Sequence, residues 1–373
     1  MGEDAGVRDE LVSLIQRLVS IESVNPTLIP GGPGEAPVAN FIAGWLGERG
    51  LDVSVKEVAP GRPNVIALAR GSGGGRSLIL NAHTDTVGLA GMKDALQPRV
   101  EGSRLYGRGA YDMKASLAVL MLVTAEAAGR GLAGDVTLTA VVDEEAASLG
   151  TEAVVRELRA DAAIVAEPTE LGVAVAHRGF TWVEVEVRGV AAHGSLYNRG
   201  VDAIARMGHV LVGLEQLDRA LAETQQRHEL LGRASVHAAV IEGGEGISTY
   251  PDRCVLQVER RTLPGETPEM VEREARALLG DLDGSVSVRF SREPLETRPD
   301  DKIVQALSRH AEVVELIGVP FWTDAALLAG AGIPTVVYGP AGEGAHADVE
   351  WVDLESVERC HDVLLATVLD FCH

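Results

Sequence analysis

Four short runs of aliphatic and β-branched residues set the strongest limit on how this chain can fold. They are SLIL at 77–80, VTLTAVV at 136–142, AAIV at 162–165 and PTVVY at 334–338. Each is of strand length and nearly free of polar side chains. A strand with one wet face alternates, whereas a strand covered on both faces does not. Helical patterns at 114–130 and 151–159 fill the gaps between the first three runs. Such strand–helix alternation predicts an α/β fold, a mostly parallel sheet flanked by helices. Upstream, Val7, Leu11, Leu14, Ile15 and Leu18 recur at helical spacing. A second helix is expected over 38–50, stopping at Gly50, and VSVKEV and NVIALAR read as strands.

The pattern changes after His177. TWVEVEVRGV alternates strictly, and a helix is expected over 201–217, with apolar spacing running on to about 231. Two alternating strands follow, ASVHAAVIEGG and DRCVLQVERR, then a helix over 268–279 and the strand SVSVRF. The order β-α-β-β-α-β is the ferredoxin-like split motif, an α+β unit that folds by itself. Helix–strand alternation resumes at Ile303. The expected organisation is therefore one α/β domain in two segments, 1–177 and 293–373, interrupted by an inserted α+β domain over 178–292.

Polar residues recur where the buried runs end. His83 and Asp85 follow the first, and Asp143, Glu144 and Glu145 the second. Glu167 follows the third, and His346 lies beyond the fourth. Asp112 sits in the loop GRGAYDMK, just before a helical pattern. In open α/β sheets ligands bind at the carboxyl ends of the strands, so these residues are expected to converge. Two imidazoles with several carboxylates, and no cysteine, suit zinc, cobalt or manganese. Five candidate ligands, His83, Asp112, Glu145, Glu167 and His346, exceed the need of one ion and fit a pair sharing a carboxylate and a water. In His-x-Asp, Asp85 can orient the imidazole of His83. Glu144 and Glu145 can divide two roles, one toward metal and one toward water. Any of these residues alone would be read as an ordinary loop or strand-end group; their recurrence at strand ends carries the argument. His177, His209, His228, His237, His310, His361 and His373 have no such setting and are read as structural.

NAHTDTV, GRGAYDMKASLA, VVDEE, AEPT and GAHADVEWV, taken together and in this order, resemble the metallopeptidase and deacylase family of acetylornithine deacetylase, succinyl-diaminopimelate desuccinylase, aminoacylase and glutamate carboxypeptidase. The resemblance spans nearly the whole chain and implies a hydrolase of the amide bond in small N-acyl amino acids. A dipeptidase or carboxypeptidase is the alternative on the same machinery. It implies that Asp112 bridges two ions, that His83 and Glu167 complete one and that Glu145 and His346 complete the other. Asp85 would orient His83, and Glu144 would be the general base. The Asp112–Met113 peptide bond would be cis. The inserted unit would be a lid and dimerisation domain of a homodimer. His193 in GVAAHGS would reach the partner's site and steady the oxyanion, and Arg261 in ERRTLPGE would grip a substrate carboxylate. Arg260, on the other face of the same strand, is expected at the surface. Two positions depart from the family: Ser248 stands where Asn is frequent, and Thr323-Asp324-Ala325-Ala326 stands in place of TDAR. Both bear on which acyl group is accepted.

The net charge of −22 opposes nucleic acid and anionic membrane as partners, and also a phosphatase or nuclease reading. Any anionic substrate then needs a local cation such as Arg261. Cys254, Cys360 and Cys372 form no CxxC pair, which argues against a disulfide framework. The N-terminus is acidic and amphipathic, without the features of a secretory signal, so cytoplasmic residence is expected. A binding protein that had lost catalysis would be expected to lack at least one of His83, Asp112, Glu144, Glu145, Glu167 and His346, and all are present.

Overall fold

The computed structural model describes residues 2–89, 91–225, 227–312 and 315–373. The chain divides into two compact units. One comprises Met1–Val175, Thr297–Ile317 and Thr323–His373, and the other comprises Ala176–Glu296 and Gly318–Trp322. Residues 318–322, which the sequence reading leaves in the second α/β segment, thus cluster with the inserted unit. Their contacts explain why: the indole of Trp322 donates to the carbonyl of Glu293 at 3.0 Å and meets the Phe180 ring edge-on.

In the first unit the Leu78–His83 strand is buried along its whole length. It runs parallel to Val136–Val141 on one side and to Ala162–Val165 on the other, and Thr335–Val337 continues the parallel set. Asp52–Ala59 and Arg62–Ala69 extend one edge as an antiparallel pair. The four apolar runs are therefore the parallel centre of the sheet, and antiparallel strands, Arg62–Ala69 on one side and Val173–His177 on the other, flank it. The helix Ala115–Ala128 is apolar nearly all round, as a helix covered on every side must be. It packs on the sheet and against the helices Gly2–Ser20 and Leu354–Phe371. On the other face Leu149–Glu157 and Ala325–Gly330 pack together.

The second unit holds a four-stranded antiparallel sheet in the order Ser235–Gly243, Arg253–Thr262, Gly179–Arg188, Gly284–Arg292. This is the ferredoxin-like order. Val183, Val185 and Val187 point to the face covered by the helices Ala203–Glu223 and Pro268–Leu279. Asp202 and Thr267 cap those helices, each accepting a backbone N–H of the first turn. The first helix runs past the expected 217 but ends at Glu223, before the apolar spacing does at about 231, and Thr224 is extended. Among the described residues no helix is long and apolar enough to cross a membrane.

Candidate metal centre

The six candidates read from the strand ends converge in the first unit. His83 closes the central strand and is 2% exposed. Its Nδ1 lies 3.0 Å from the backbone oxygen of Asp85 and 3.6 Å from the Asp85 carboxylate. These oxygens can accept an Nδ1–H and turn Nε2 toward the cluster, whose carboxylates raise the imidazole well above its ordinary value against its burial. Nε2 is 3.1 Å from Asp112 Oδ1 and 3.6 Å from Glu167 Oε1. The second oxygen of Asp112 lies 3.4 Å from His346 Nε2, which is also 2.9 Å from Glu145 Oε2. Asp112 therefore offers one oxygen to each imidazole. His83, Asp112 and Glu145, and likewise His83, Glu144 and Glu167, bring donor atoms within 4.8 Å of one another.

Local backbone geometry aims these groups. Asp112 lies in a tight turn, Ala110–Lys114, entered from Gly109 at φ +78°, and its bond to Met113 is cis. A Cβ on Gly109 would come within 2.8 Å of the Thr86 methyl, so glycine is required there on two counts. Asp143 and His346 adopt the left-handed region, at φ +71° and +63°. Non-glycine residues there are uncommon, and such strain collects at functional sites.

The donors form an electrostatically crowded set. Burial, with the charge of Glu167 adding to it, pushes the Glu144 carboxyl well up. Glu167 is raised likewise by burial, with Asp112 and Glu145 adding to it. Burial and Asp112 bring Glu145 to about 6. Asp112 is buried too, but the imidazoles of His346 and His83 outweigh this and hold it well below the usual carboxylate range. Hydrogen bonds to Asp112 and Glu145 raise His346 to about 10. Among the described residues Glu145 Oε1 is buried without a hydrogen-bond partner. Four carboxylates with one orphaned oxygen and two imidazoles make a set that cations complete, so the residues present fit a pair of divalent ions.

Several supporting residues escaped the sequence reading. Glu350, 2% exposed, accepts the Arg108 guanidinium at 2.7 Å and the backbone N–H groups of Gly109, Tyr111 and Asp112 at 3.0, 2.9 and 3.1 Å. It pins the turn that carries Asp112. It stands inside GAHADVEWV, so the motif held the signal but not the role. Asn25, Arg62 and Asp143 form a buried group behind His83 and Glu145. Asp324 is buried and accepts the Thr151 hydroxyl at 2.6 Å, and burial raises its carboxyl to about 6. Its charge also acts on Glu144 and Glu167.

His193 and Arg261 lie in the second unit. His193 is exposed on a two-residue strand paired with Thr249–Tyr250, and its Nδ1 is 2.8 Å from the Ser195 hydroxyl. The neighbouring Gly194 N–H donates to the carbonyl of Ser248, so that departure lies beside His193. Arg261 is half-buried, pairs with Glu259 and lies 5.4 Å over the Phe180 ring. Arg260 corrects the expectation of a surface residue. It is 1% exposed and binds Glu266 and Glu274 at 2.7 and 3.1 Å. The face opposite Arg261 is the helix-covered one, and Glu274 comes from the Pro268–Leu279 helix.

A two-segment α/β fold with a carboxylate–imidazole cluster at its strand ends defines the class. Residues 79–370 match peptidase family M20/M25/M40. The chain is 33% identical over 346 residues to the acetylornithine deacetylase of Myxococcus xanthus, covering 88% of this chain and 89% of that protein. It is 28% identical to the N-formyl-4-amino-5-aminomethyl-2-methylpyrimidine deformylase of Bacillus subtilis (strain 168), covering 98% and 95%. A Bacillus subtilis protein described as a dinuclear metal binding peptidase from the M20 family superposes with a TM-score of 0.71 at 18% identity, covering 98% and 99%. The chain belongs to peptidase family M20/M25/M40 and is a hydrolase.

Proposed function

We propose that the protein is a dinuclear metal-dependent hydrolase of the amide bond in small N-acyl amino acids. The observation that carries this reading is Asp112, whose two oxygens face two different imidazoles at 3.1 and 3.4 Å. One ion would be held by His83, Asp112 and Glu167, the other by His346, Asp112 and Glu145. The donor set suits zinc, and cobalt or manganese would fit it as well. The ions would supply the positive charge that polarises the amide carbonyl and acidifies a water.

Glu144 is the general base in this reading. It takes a proton from the water as the water oxygen bonds to the carbonyl carbon. It returns that proton to the amide nitrogen as the C–N bond breaks, leaving a carboxylic acid and an amine. Asp85 holds the His83 tautomer. Arg261 holds the substrate carboxylate through its planar guanidinium. His193 steadies the oxyanion of the partner subunit's site in a homodimer. The acetylornithine deacetylase likeness favours an acetyl group on a small amino acid, and the motif resemblance keeps a succinyl group as the other leading choice. Hydrolysis of acetyl-, succinyl- and formyl-amino acids and of dipeptides, each with added zinc or cobalt, tests the reading. Release of amine from an acyl amino acid, abolished by a chelator, is expected. Turnover of dipeptides alone would move the assignment to a dipeptidase, and no metal-dependent turnover on any of them would end it.

A further inference from the structure

Behind the metal-facing side of His83 lies a second layer of polar residues, buried except for Thr27 at its edge. Asn25 is 0% exposed and comes from the loop before the Ala36–Glu48 helix. Its Nδ2 carries two hydrogens and lies 2.8 Å from Asp85 Oδ2 and 3.1 Å from Asp143 Oδ1. Its own side-chain oxygen accepts the Thr27 N–H at 2.9 Å, which fixes the orientation of the amide. The two carboxylates it joins belong to different parts of the centre. Asp85 backs His83 and also accepts the backbone N–H groups of Glu144 and Glu145, both at 3.2 Å. Asp143 immediately precedes those two residues, and its positive φ sets their direction.

The far end of the layer is anchored as well. Asp143 Oδ1 accepts Arg62 Nη1 at 2.7 Å and the Thr27 hydroxyl at 3.3 Å. Arg62 also meets Glu35 through both remaining nitrogens, with Nε 2.9 Å from Oε2. Glu35 and Asp143 have fully buried side chains. Three carboxylates, of Asp85, Asp143 and Glu35, thus share one guanidinium and one carboxamide. A neutral double donor suits Asn25's position. A carboxylate there would face two others, and an apolar residue would leave both Asp85 and Asp143 short of a donor.

We propose that Asn25 is a positioning residue of the metal centre, tying the carboxylate behind His83 to the turn that presents Glu144 and Glu145. Arg62 and Glu35 brace this tie from behind. The proposal rests on the metallohydrolase reading above. Partners behind metal ligands commonly tune affinity or activity by ~10–100-fold, which sets the size of the effect.

The test compares wild type with Asn25→Ala and Asn25→Ser in the full chain. Zinc affinity is read by competition with a fluorescent chelator, and ligand geometry by the visible spectrum of the cobalt-loaded protein. Melting temperatures of the metal-free proteins and kcat and KM of the loaded ones complete the set. For Asn25→Ala we expect zinc affinity and kcat to fall by ~10–100-fold with KM little changed, and the cobalt bands to shift. Asn25→Ser, which keeps one donor, should fall between, and it stands in if Asn25→Ala does not fold. A lower melting temperature with wild-type zinc affinity and cobalt spectrum would reduce Asn25 to a stabilising residue and overturn the proposal. If wild type itself binds no zinc, the metallohydrolase reading falls and takes this one with it. Wild type binding two ions with both variants unchanged overturns the role of Asn25 alone.

Discussion

Glu350 accepts the backbone N–H of Asp112 at 3.1 Å, across 238 residues of sequence. A carboxylate near the end of the chain thereby fixes the turn bearing Asp112, whose two oxygens face the two imidazoles. Glu350→Ala would leave Arg108 buried without its carboxylate, a change that costs ~3–5 kcal/mol when a buried pair is broken. Chemical denaturation should show that loss. Dialysis against zinc should show fewer than two ions retained. Wild-type stability together with full zinc content would show that the turn holds without Glu350.

Glu144→Gln removes the proposed proton acceptor and little else. The variant should fold and keep its metal, while kcat falls by ~10²–10⁴-fold. Metal analysis alongside steady-state kinetics separates this from loss of a ligand. Because Glu144 groups with His83 and Glu167 within 4.8 Å, loss of one ion in this variant would instead make it a ligand.

Metal binding should depend steeply on pH. In the protein alone His346 is raised to about 10 by Asp112 and Glu145, so at neutral pH its imidazole carries a proton. A ligand must be deprotonated, so binding at neutral pH releases that proton and affinity rises with pH until about 10. Below about 6 Glu145 also takes up a proton, and affinity falls further. Calorimetry in buffers of different ionisation enthalpy counts the protons. His346→Ala should release about one fewer than wild type. An unchanged count would remove His346 from the ligand set.

The proposed dimer can be tested by mixing two inactive chains. His193→Ala retains an intact metal cluster, and Glu144→Ala retains His193. A heterodimer should recover one working site if His193 serves the partner's centre. Well-formed heterodimers without activity would refute the crossed arrangement. A fully active monomer would remove the need for a partner.

Much of the centre was legible along the chain because buried strands and their ends have their own signature. Runs without alternation placed the four parallel strands. Polar residues at their ends, where packing asks for none, exposed His83, Glu144, Glu145 and Glu167. The ferredoxin-like order followed from strict alternation and helical spacing. Arg260 misled because alternation says that Arg260 and Arg261 face opposite ways but not which face a helix will cover.

The sequence alone determined the chemical types, the strand ends that carry them and the order of the elements. Tertiary structure alone decided which second-layer groups support them. Asn25 meets Asp85 and Asp143 across 60 and 118 residues, and Arg62 meets Asp143 across 81. Periodicity reports whether a side chain faces core or solvent. It carries no information on which buried donor meets which buried acceptor, because a hydrogen bond depends on distances and angles that exist only once the chain has closed on itself.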